Sequence, residues 1–249
     1  MTERRDTGSR PYARVFGSPG ARPRFAGLVR AAWPVFVIVF AAGYLVRAAF
    51  PLPDLSLTAA GLLFLVLAVA FGAAVNASLS RLGSFLKGAR GEEQVAHELA
   101  FLPAAYSVFH GLSRARGAIM PRGGDYDHVV AGPTGVFVVE TKNWAGAVTL
   151  RDGRILCDGR EPDRPPLEQV RLAARSLRAE LRQACDAEIH VQPVVCFAGN
   201  QFAGDRCGTG GVILCNARAL TAVVRESCDP PLPQAVLKPV VRTLQDWLE

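Results

Sequence analysis

The chain has few of the residues from which common metal and nucleophile sites are built. Its 249 residues include four histidines and six cysteines, and no two cysteines have the CxxC spacing of a structural zinc site. The histidines are scattered, so neither a Ser-His-Asp nor a Cys-His set can be assembled. The GTGG sequence at 208–211 lacks the lysine and helix of a phosphate-binding loop and is predicted to be a turn. We expect free thiols in a reducing compartment.

The soluble part of the chain lacks an excess of positive charge. The net charge of +6 and the pI of about 9.3 are typical of a nucleic-acid-binding protein. However, residues 1–30 alone contain seven arginines against two acidic residues, and residues 88–249 contain 18 basic and 19 acidic residues. Bulk charge therefore indicates contact of the tail with a membrane surface and gives no support for DNA binding.

Charge is absent from two apolar segments near the N-terminus. Residues 31–46 (AAWPVFVIVFAAGYLV) and 55–75 (LSLTAAGLLFLVLAVAFGAAV) contain no charged residue. A helix crosses a bilayer core with about 20 apolar residues. The second segment has that length, and the first reaches it if its flanks out to about Phe50 contribute. We predict a transmembrane hairpin over 31–75, and the alternatives are a cleaved signal peptide or two buried helices of a soluble protein.

Basic residues flank both predicted spans on the same side. The seven arginines precede the first span, Arg81, Lys87 and Arg90 follow the second, and the link between the spans has only Arg47 and Asp54. The positive-inside rule therefore places both termini and the soluble domain in the cytoplasm. That compartment is reducing, which agrees with free thiols.

The remaining sequence predicts one α/β domain. Hydrophobic periodicity indicates a helix at 91–102, several strands, a long helix from Leu167, two more strands and two closing helices. This order predicts a mixed α/β arrangement with one central sheet. The predicted segments are a disordered basic tail at 1–30, the membrane hairpin at 31–75, a juxtamembrane link at 76–87 and the soluble domain at 88–249.

Three charged residues lie in two otherwise apolar strands. In GGDYDHVVAGPTGVFVVETKNW (123–144), the tight turn GPTG joins a strand with Asp127 to a strand with Glu140 and Lys142. Residues two apart in a strand share a face, so Glu140 and Lys142 point the same way, and Asp127 can reach them from the neighbouring strand. Charged groups are rarely buried unless they are paired or bind a metal. The three together predict a hard-cation site suited to Mg²⁺.

Lysine is scarce in this chain, which has only Lys87, Lys142 and Lys238 among 28 basic residues. An ammonium group is a compact charge that holds a water or phosphate oxygen in a way that a guanidinium does poorly. The lysine at 142 therefore adds weight to the predicted site. Glu92 borders the apolar face of the first soluble helix and is either a third carboxylate of the site or only a partner of the helix dipole.

The ordered set of motifs resembles the PD-(D/E)xK nuclease superfamily and, more narrowly, the NERD (nuclease-related) domain. The matching pieces are GARGEEQVAHEL, YDHVVAGPTGVFVVETKNWAG, DG, PPLEQVRLAARSL and VQPVVCFAG, from about Gly88 to Gly199. The resemblance implies a restriction-endonuclease-like αβββαβ core with a central mixed sheet, here preceded by the two predicted transmembrane helices. The proline-aspartate pair of the superfamily is Tyr126-Asp127 in this chain, which retains the aspartate.

The resemblance also implies phosphodiester hydrolysis that depends on Mg²⁺ or Mn²⁺. Carried over by position, Asp127 and Glu140 would ligate the metal and Lys142 would orient the attacking water. Glu92 would assist as a further metal ligand, and Gln169, at the start of the long helix, would be an accessory catalytic residue.

Arginines in the loop before the Asp127 strand are candidates for binding substrate. Arg114, Arg116 and Arg122 either contact a nucleic-acid backbone or are ordinary loop residues. Trp144 is interpreted as a core residue rather than a base-stacking one, and His128 is expected to point to the opposite face from Asp127. Four arginines on one face of the long helix are interpreted as solvated rather than phosphate-binding: Arg171, Arg175, Arg178 and Arg182.

These observations predict a membrane-anchored, cytoplasm-facing, metal-dependent nuclease acting on nucleic acid. One alternative is a catalytically silent module of the same fold that binds nucleic acid or protein at the membrane. Another is an assembly factor in which the membrane hairpin matters most. The intact set of Asp127, Glu140 and Lys142 favours the enzyme, because a decayed site is expected to have lost one of them.

Overall fold

The computed structural model describes residues 11–19, 21–49, 56–114, 124–199, 202–226 and 231–248. The chain divides into two compact units. The helical unit is Ala21–Ala89, and the sheet unit combines Arg90–Glu249 with the N-terminal residues up to Gly20.

Nine strands and five helices are formed by the described residues. In chain order they are β1 (Arg14–Phe16), α1 (Ala21–Ala49), α2 (Leu57–Ala100), β2 (Ser107–Arg114), β3 (Gly124–Gly132), β4 (Gly135–Lys142), β5 (Val148–Arg151), β6 (Arg154–Cys157), α3 (Pro166–Cys185), β7 (Val191–Phe197), β8 (Arg206–Thr209), β9 (Val212–Asn216), α4 (Leu220–Arg225) and α5 (Gln234–Asp246).

The helical unit consists of α1 and the first part of α2, and its large apolar side chains are exposed. Phe36, Phe40 and Phe64 have 72%, 78% and 75% of their surface exposed. One helix is long and apolar enough to cross a membrane, and its candidate segment is Phe64–Ala100. Only 6% of the apolar window in that segment is buried, whereas the core helix of a soluble protein is mostly buried.

Only one of the two predicted membrane spans meets this criterion among the described residues. The apolar part of α1 is the shorter segment Ala32–Ala48. The charge-free stretch between Arg30 and Arg47 has 16 residues, which make a helix of about 24 Å against a bilayer core of about 30 Å. The predicted contribution of the flank is limited because Arg47 lies in the last turn of α1 and Phe50 lies outside the described residues.

α2 runs without a break from Leu57 to Ala100 and crosses the boundaries predicted at 75 and 87. No proline interrupts this part of the sequence. The hydroxyls of Ser80 and Ser84 donate to the carbonyl oxygens of Asn76 and Ser80 at 3.0 and 3.2 Å, which is how serine is accommodated within a helix. The predicted link at 76–87 and the helix predicted at 91–102 are therefore parts of one helix.

Seven strands form one mixed sheet in the order β1-β2-β3-β4-β7-β9-β8. β2, β3 and β4 are antiparallel, whereas β4, β7 and β9 run parallel to one another. α3 and α5 cover one face of the sheet, and α4 with the C-terminal end of α2 covers the other. This architecture confirms the α/β class with a central mixed sheet. The implied order of helix, three strands, helix and strand is present from α2 to β7, with the β5–β6 hairpin inserted before α3.

The N-terminal tail contributes a strand, although its composition predicts disorder over 1–30. Arg14–Phe16 pairs in parallel with Ser107–Phe109 at the edge of the sheet. The ring of Phe16 stacks on that of Phe109 with 5.0 Å between centroids. The arginines and glycines of the tail dominate its average composition and conceal this short apolar run. α1 also begins inside the predicted tail, at Ala21.

Candidate functional site

The candidate site lies where two neighbouring strands separate. β3 and β4 pair from the predicted GPTG turn as far as His128 and Val139. β4 then continues beside β7 through Glu140 and Lys142, without β3 on its other side. Beyond Val139, one edge of β4 therefore has no paired strand. Side chains take the place that β3 would otherwise occupy there.

Asp127 lies on β3 just past the last pair and spans this gap. Its Oδ2 accepts a hydrogen bond from the backbone N–H of Thr141 at 2.8 Å. The carboxylate thus satisfies a backbone donor that a continuing ladder would have paired. This bond holds Asp127 against β4, as the sequence predicts.

Lys142 connects β4 to the first turns of α3. Its Nζ donates to Glu140 Oε1 and to Gln169 Oε1, each at 2.8 Å. The side chains of Lys142 and Glu140 are only 18% and 14% exposed, so the ion pair is partly shielded from water. The structure therefore brings together Glu140 and Lys142 on one face of β4, and adds Gln169 from the helix that packs on that face.

Negative charge accumulates around Asp127. Burial raises the pKa of Asp127 well above its usual value, and the nearby carboxylates of Glu140 and Glu92 raise it further. The Thr141 N–H and the Lys142 ammonium act in the opposite direction with smaller effects. Glu92 is thus close enough to Asp127 to raise the pKa of its carboxyl group by electrostatic repulsion. The charged side chains that act on Asp127 are therefore two carboxylates and one ammonium.

Gly91 allows α2 to approach the end of β4. It is buried, and a Cβ at this position would lie 2.6 Å from the Cβ of Asn143, the residue after Lys142. Such a distance is too short for two carbon atoms in van der Waals contact. The glycine therefore sets how closely the helix that carries Glu92 can lie to β4.

We expect Gly91→Ala to lower the free energy of unfolding by about 1–3 kcal/mol, the usual cost of overpacking. Gly88→Ala is the matched control, since a Cβ there meets nothing within 4 Å. That variant should be neutral or gain up to about 1 kcal/mol from helix propensity. Thermal unfolding of the detergent-solubilised chain measures both. Equal melting temperatures for the two variants would contradict the close approach.

A buried polar network lies beside Asp127 and was not predicted. Tyr126 is fully buried and its Oη donates to Glu180 Oε1 at 3.1 Å, while Ser176 Oγ donates to the same oxygen at 2.8 Å. Ser176 and Glu180 are four residues apart on the face of α3 that packs on the sheet. Polar residues on an otherwise apolar helix face are the signal that would have identified them. The network fixes the residue that precedes Asp127 to α3.

His128 points into the core, as predicted, and is paired with His110. Both rings are buried, and their Nδ1 atoms are 2.7 Å apart. Burial lowers the pKa of His110 to about 4 and that of His128 well below its usual value. Both are therefore neutral at physiological pH.

The binding of substrate by the three predicted arginines stays a prediction. Arg116 and Arg122 lie outside the described residues, and Arg114 is described only as the last residue of β2. On α3, Arg178 and Arg182 form exposed ion pairs with Glu188, which agrees with a solvated face. Trp144 packs against the core with its ring 5.8 Å from that of Phe197, also as interpreted.

The donor set at the strand separation has the chemistry of a hard-cation site. Among the described residues there is no group of three or more His, Cys, Asp and Glu arranged to hold a metal. Asp127 and Glu140 nevertheless offer carboxylate oxygens, which Mg²⁺ and Mn²⁺ prefer. Their mutual repulsion, recorded in the raised pKa of Asp127, is what a divalent cation would relieve.

Comparison with known proteins points to the same segment. Residues 87–198 match the family model of NERD, the nuclease-related domain, in agreement with the resemblance of the motifs. The 4-diphosphocytidyl-2-C-methyl-D-erythritol kinase of Streptomyces coelicolor is 32% identical over 84 residues, which cover 32% of this chain and 28% of that protein. The match thus spans little more than a quarter of the relative's length. No solved structure matches the chain.

Proposed function

We propose that this chain, whose residues 87–198 match the nuclease-related domain, is a membrane-anchored, metal-dependent phosphodiesterase that cleaves nucleic acid. The observation that carries the proposal is the contact of Lys142 with both Glu140 and Gln169, next to the carboxylate of Asp127 at the strand separation. A purely structural ion pair would not require two further carboxylates, Asp127 and Glu92, close to it.

Asp127 and Glu140 are the residues that would hold Mg²⁺ or Mn²⁺, with Glu92 adding negative charge. A bound divalent ion lowers the pKa of a water and offsets the charge of the scissile phosphate. Lys142 has three N–H donors, and two of them are used by Glu140 and Gln169. The third is directed at a water or a phosphate oxygen, and Gln169 positions the ammonium for this contact.

The direct test is cleavage by the purified full-length chain in a non-ionic detergent. Labelled DNA and RNA, each single- and double-stranded, are incubated with Mg²⁺, Mn²⁺ or EDTA. We expect cleavage of at least one substrate with a divalent ion and none with EDTA. Cleavage that is unaffected by EDTA, or no cleavage of any substrate, would contradict the proposal.

The second candidate is a silent binding module, and the small number of convergent metal ligands among the described residues favours it. Calorimetric titration with Mn²⁺ separates the two functions. The enzyme should bind the ion in a way that depends on Asp127 and Glu140. A chain that binds nucleic acid but shows no such ion binding would be the module.

We also propose that α2 anchors the domain in the membrane, that Ala32–Ala48 makes a second, thin crossing, and that both termini face the cytoplasm. The arginines before α1 and the basic residues within α2 support this orientation. A crossing of 17 residues requires some local thinning of the bilayer, which costs a fraction of a kcal/mol for each Å.

This topology predicts the labelling of cysteines by a membrane-impermeant maleimide. In intact cells the native thiols should stay unlabelled, and a cysteine placed in the link by Leu52→Cys should be labelled. In permeabilised cells native thiols should react as well. Labelling of native cysteines in intact cells, or protection of the link cysteine, would show that the orientation is wrong.

A further inference from the structure

A second polar site lies between α5 and the edge of the sheet. It is a groove of about 420 Å³ whose buried residues include Leu237 and Val241 of α5. Its polar lining consists of Arg14 on β1, Ser107 on β2, and Gln234, Lys238, Arg242 and Gln245 on α5. We call this set the α5 groove. None of its residues was singled out as a substrate contact by the sequence.

The charge of the α5 groove is entirely positive. Arg14, Lys238 and Arg242 are exposed, and none of their side chains forms a hydrogen bond or ion pair with another described residue. Among the described residues, no carboxylate lines the groove. By contrast, the remaining arginines of the sheet unit include several neutralised on the surface, such as Arg178 and Arg206, which pair with Glu188 and Glu226.

Elements on both sides of the groove position these cations: β1 carries Arg14, and α5 carries Lys238 and Arg242. Arg14 lies opposite Ser107 in the parallel pairing of β1 with β2, and its N–H donates to Tyr106 O at 3.2 Å. On α5, Lys238 and Arg242 each directly follow a buried anchor, Leu237 or Val241. The burial of the anchors fixes the direction of the cations, since residues four apart share a helix face.

The α5 groove is separate from the Asp127 site but belongs to the same strands. Ser107 pairs with Ala131 of β3, which is four residues from Asp127 along the strand. At about 3.3 Å per residue, Ala131 and Asp127 are roughly 13 Å apart along β3. A chain-like ligand would be needed to contact both.

We propose that the α5 groove binds the phosphodiester backbone of a nucleic acid as an accessory substrate site, a step that rests on the proposed function for its ligand class. The polar stripe on α5 runs from Gln234 to Gln245, about 17 Å of helix, which matches the rise of roughly five nucleotides of duplex. Cations spread along a groove, with amide donors between them, suit a row of phosphates better than a single anion.

A lipid surface fits the α5 groove less well. Binding at a membrane interface uses apolar side chains that project beyond the charged ones. In this groove Leu237 and Val241 are buried beneath the cations. The exposed apolar residues of the lining are the small Ala104 and Ala105, so charge and hydrogen bonding make up most of the contact offered to a ligand.

The test is equilibrium binding of a labelled 20-nucleotide duplex to the full-length chain in detergent with EDTA, measured by fluorescence anisotropy at several salt concentrations. The double variant Lys238→Gln/Arg242→Gln should bind at least about tenfold more weakly. The slope of log affinity against log salt should fall by about two, because each lost phosphate contact removes about one. Arg14→Gln added to this pair should lower the slope by about one more.

The matched control is Arg218→Gln/Arg225→Gln, which removes the same charge from exposed positions outside the α5 groove. It should keep the wild-type slope. An equal loss of duplex affinity in both double variants would show that the effect comes from total charge alone, and it would overturn the proposal. So would displacement of the duplex by inorganic phosphate beyond the effect of chloride at equal ionic strength, which would indicate a single-anion site.

The binding experiment and the cleavage assay can fail independently of each other. If the wild type binds through the α5 groove but cuts nothing, the inference stands and the nuclease proposal fails. If the wild type cuts and the groove variant binds and cuts equally well, the nuclease proposal stands and the inference fails.

Discussion

Lys142→Ala is expected to reduce metal-dependent cleavage by at least about 100-fold, the range found when a positioned catalytic donor is removed. The ammonium is bonded to Glu140, and Gln169 holds its orientation. Lys142→Arg should be similarly impaired, because a guanidinium has a different shape and donor geometry although its charge is the same. Cleavage rates with Mg²⁺ and with Mn²⁺ measure the effect.

The stability of the Lys142→Ala variant distinguishes lost chemistry from lost folding. Without Lys142 the favourable effect of its ammonium on the carboxylates of Glu140 and Asp127 is lost, so the melting temperature in EDTA should fall. Mg²⁺ should restore most of the stability but not the activity. Lys87→Ala, which removes a lysine outside the site, serves as the control. Equal cleavage by wild type, Lys142→Ala and the control would show that the activity has another source.

The relation between Glu140 and Lys142 is the part of the site that the sequence predicts best. Alternation along a strand places the two residues on one face in any sheet, and their side chains are bonded at 2.8 Å. The GPTG turn fixes the register of the hairpin up to the pair of His128 and Val139, so Asp127 and Glu140 are the next residues on the two strands. These features depend on residues close together in the chain.

The separation of β3 from β4 is not contained in any local pattern. Past that point β4 remains paired only with β7, and this pairing joins Glu140 to Val195, 55 positions away in the sequence. The bond from Tyr126 to Glu180 joins residues 54 positions apart, and the pairing of Arg14 with Ser107 joins residues 93 positions apart. Periodicity reports which face of an element is buried, and it does not report which element will cover that face.

The continuous α2 helix shows a second way in which prediction from sequence fails: a local pattern indicates a boundary that the structure does not have. The change from apolar to polar composition near residue 75 predicts a structural boundary, but composition changes along a helix without breaking it. Proline would have ended the helix, and none occurs between Asn76 and Ala100, where the glycines and serines are accommodated within it. The change in composition therefore marks a change of environment rather than of secondary structure.

Asp127→Asn is expected to abolish cleavage and at the same time to stabilise the metal-free protein at neutral pH. The asparagine keeps an oxygen that accepts the Thr141 N–H, so the link between β3 and β4 survives. It removes a charge that burial, Glu140 and Glu92 all disfavour. An acid whose pKa is raised in the folded state contributes stability while it is protonated and loses that contribution as pH rises.

The stability difference between Asp127→Asn and the wild type should depend on pH. In EDTA, wild type and Asp127→Asn should have similar melting temperatures near pH 4, close to the usual pKa of a carboxyl group. As the pH rises toward the raised pKa of Asp127, the wild type should lose stability relative to the variant, by roughly 2–4 °C for each kcal/mol. Asp163→Asn, which neutralises an exposed carboxylate, should not reproduce this divergence.

Addition of Mg²⁺ should reverse the order of stability. A ligand that binds only the folded state stabilises it by about 2.7 kcal/mol at 100 times its Kd, and Asp127 would be one of its ligands. The wild type should therefore gain stability with Mg²⁺ at pH 7, while Asp127→Asn gains little. A variant that is less stable than the wild type in EDTA at every pH would show that the carboxylate stabilises the fold. In that case Asp127 would be a structural cap on β4, and the concentration of negative charge around it would have no connection with a metal.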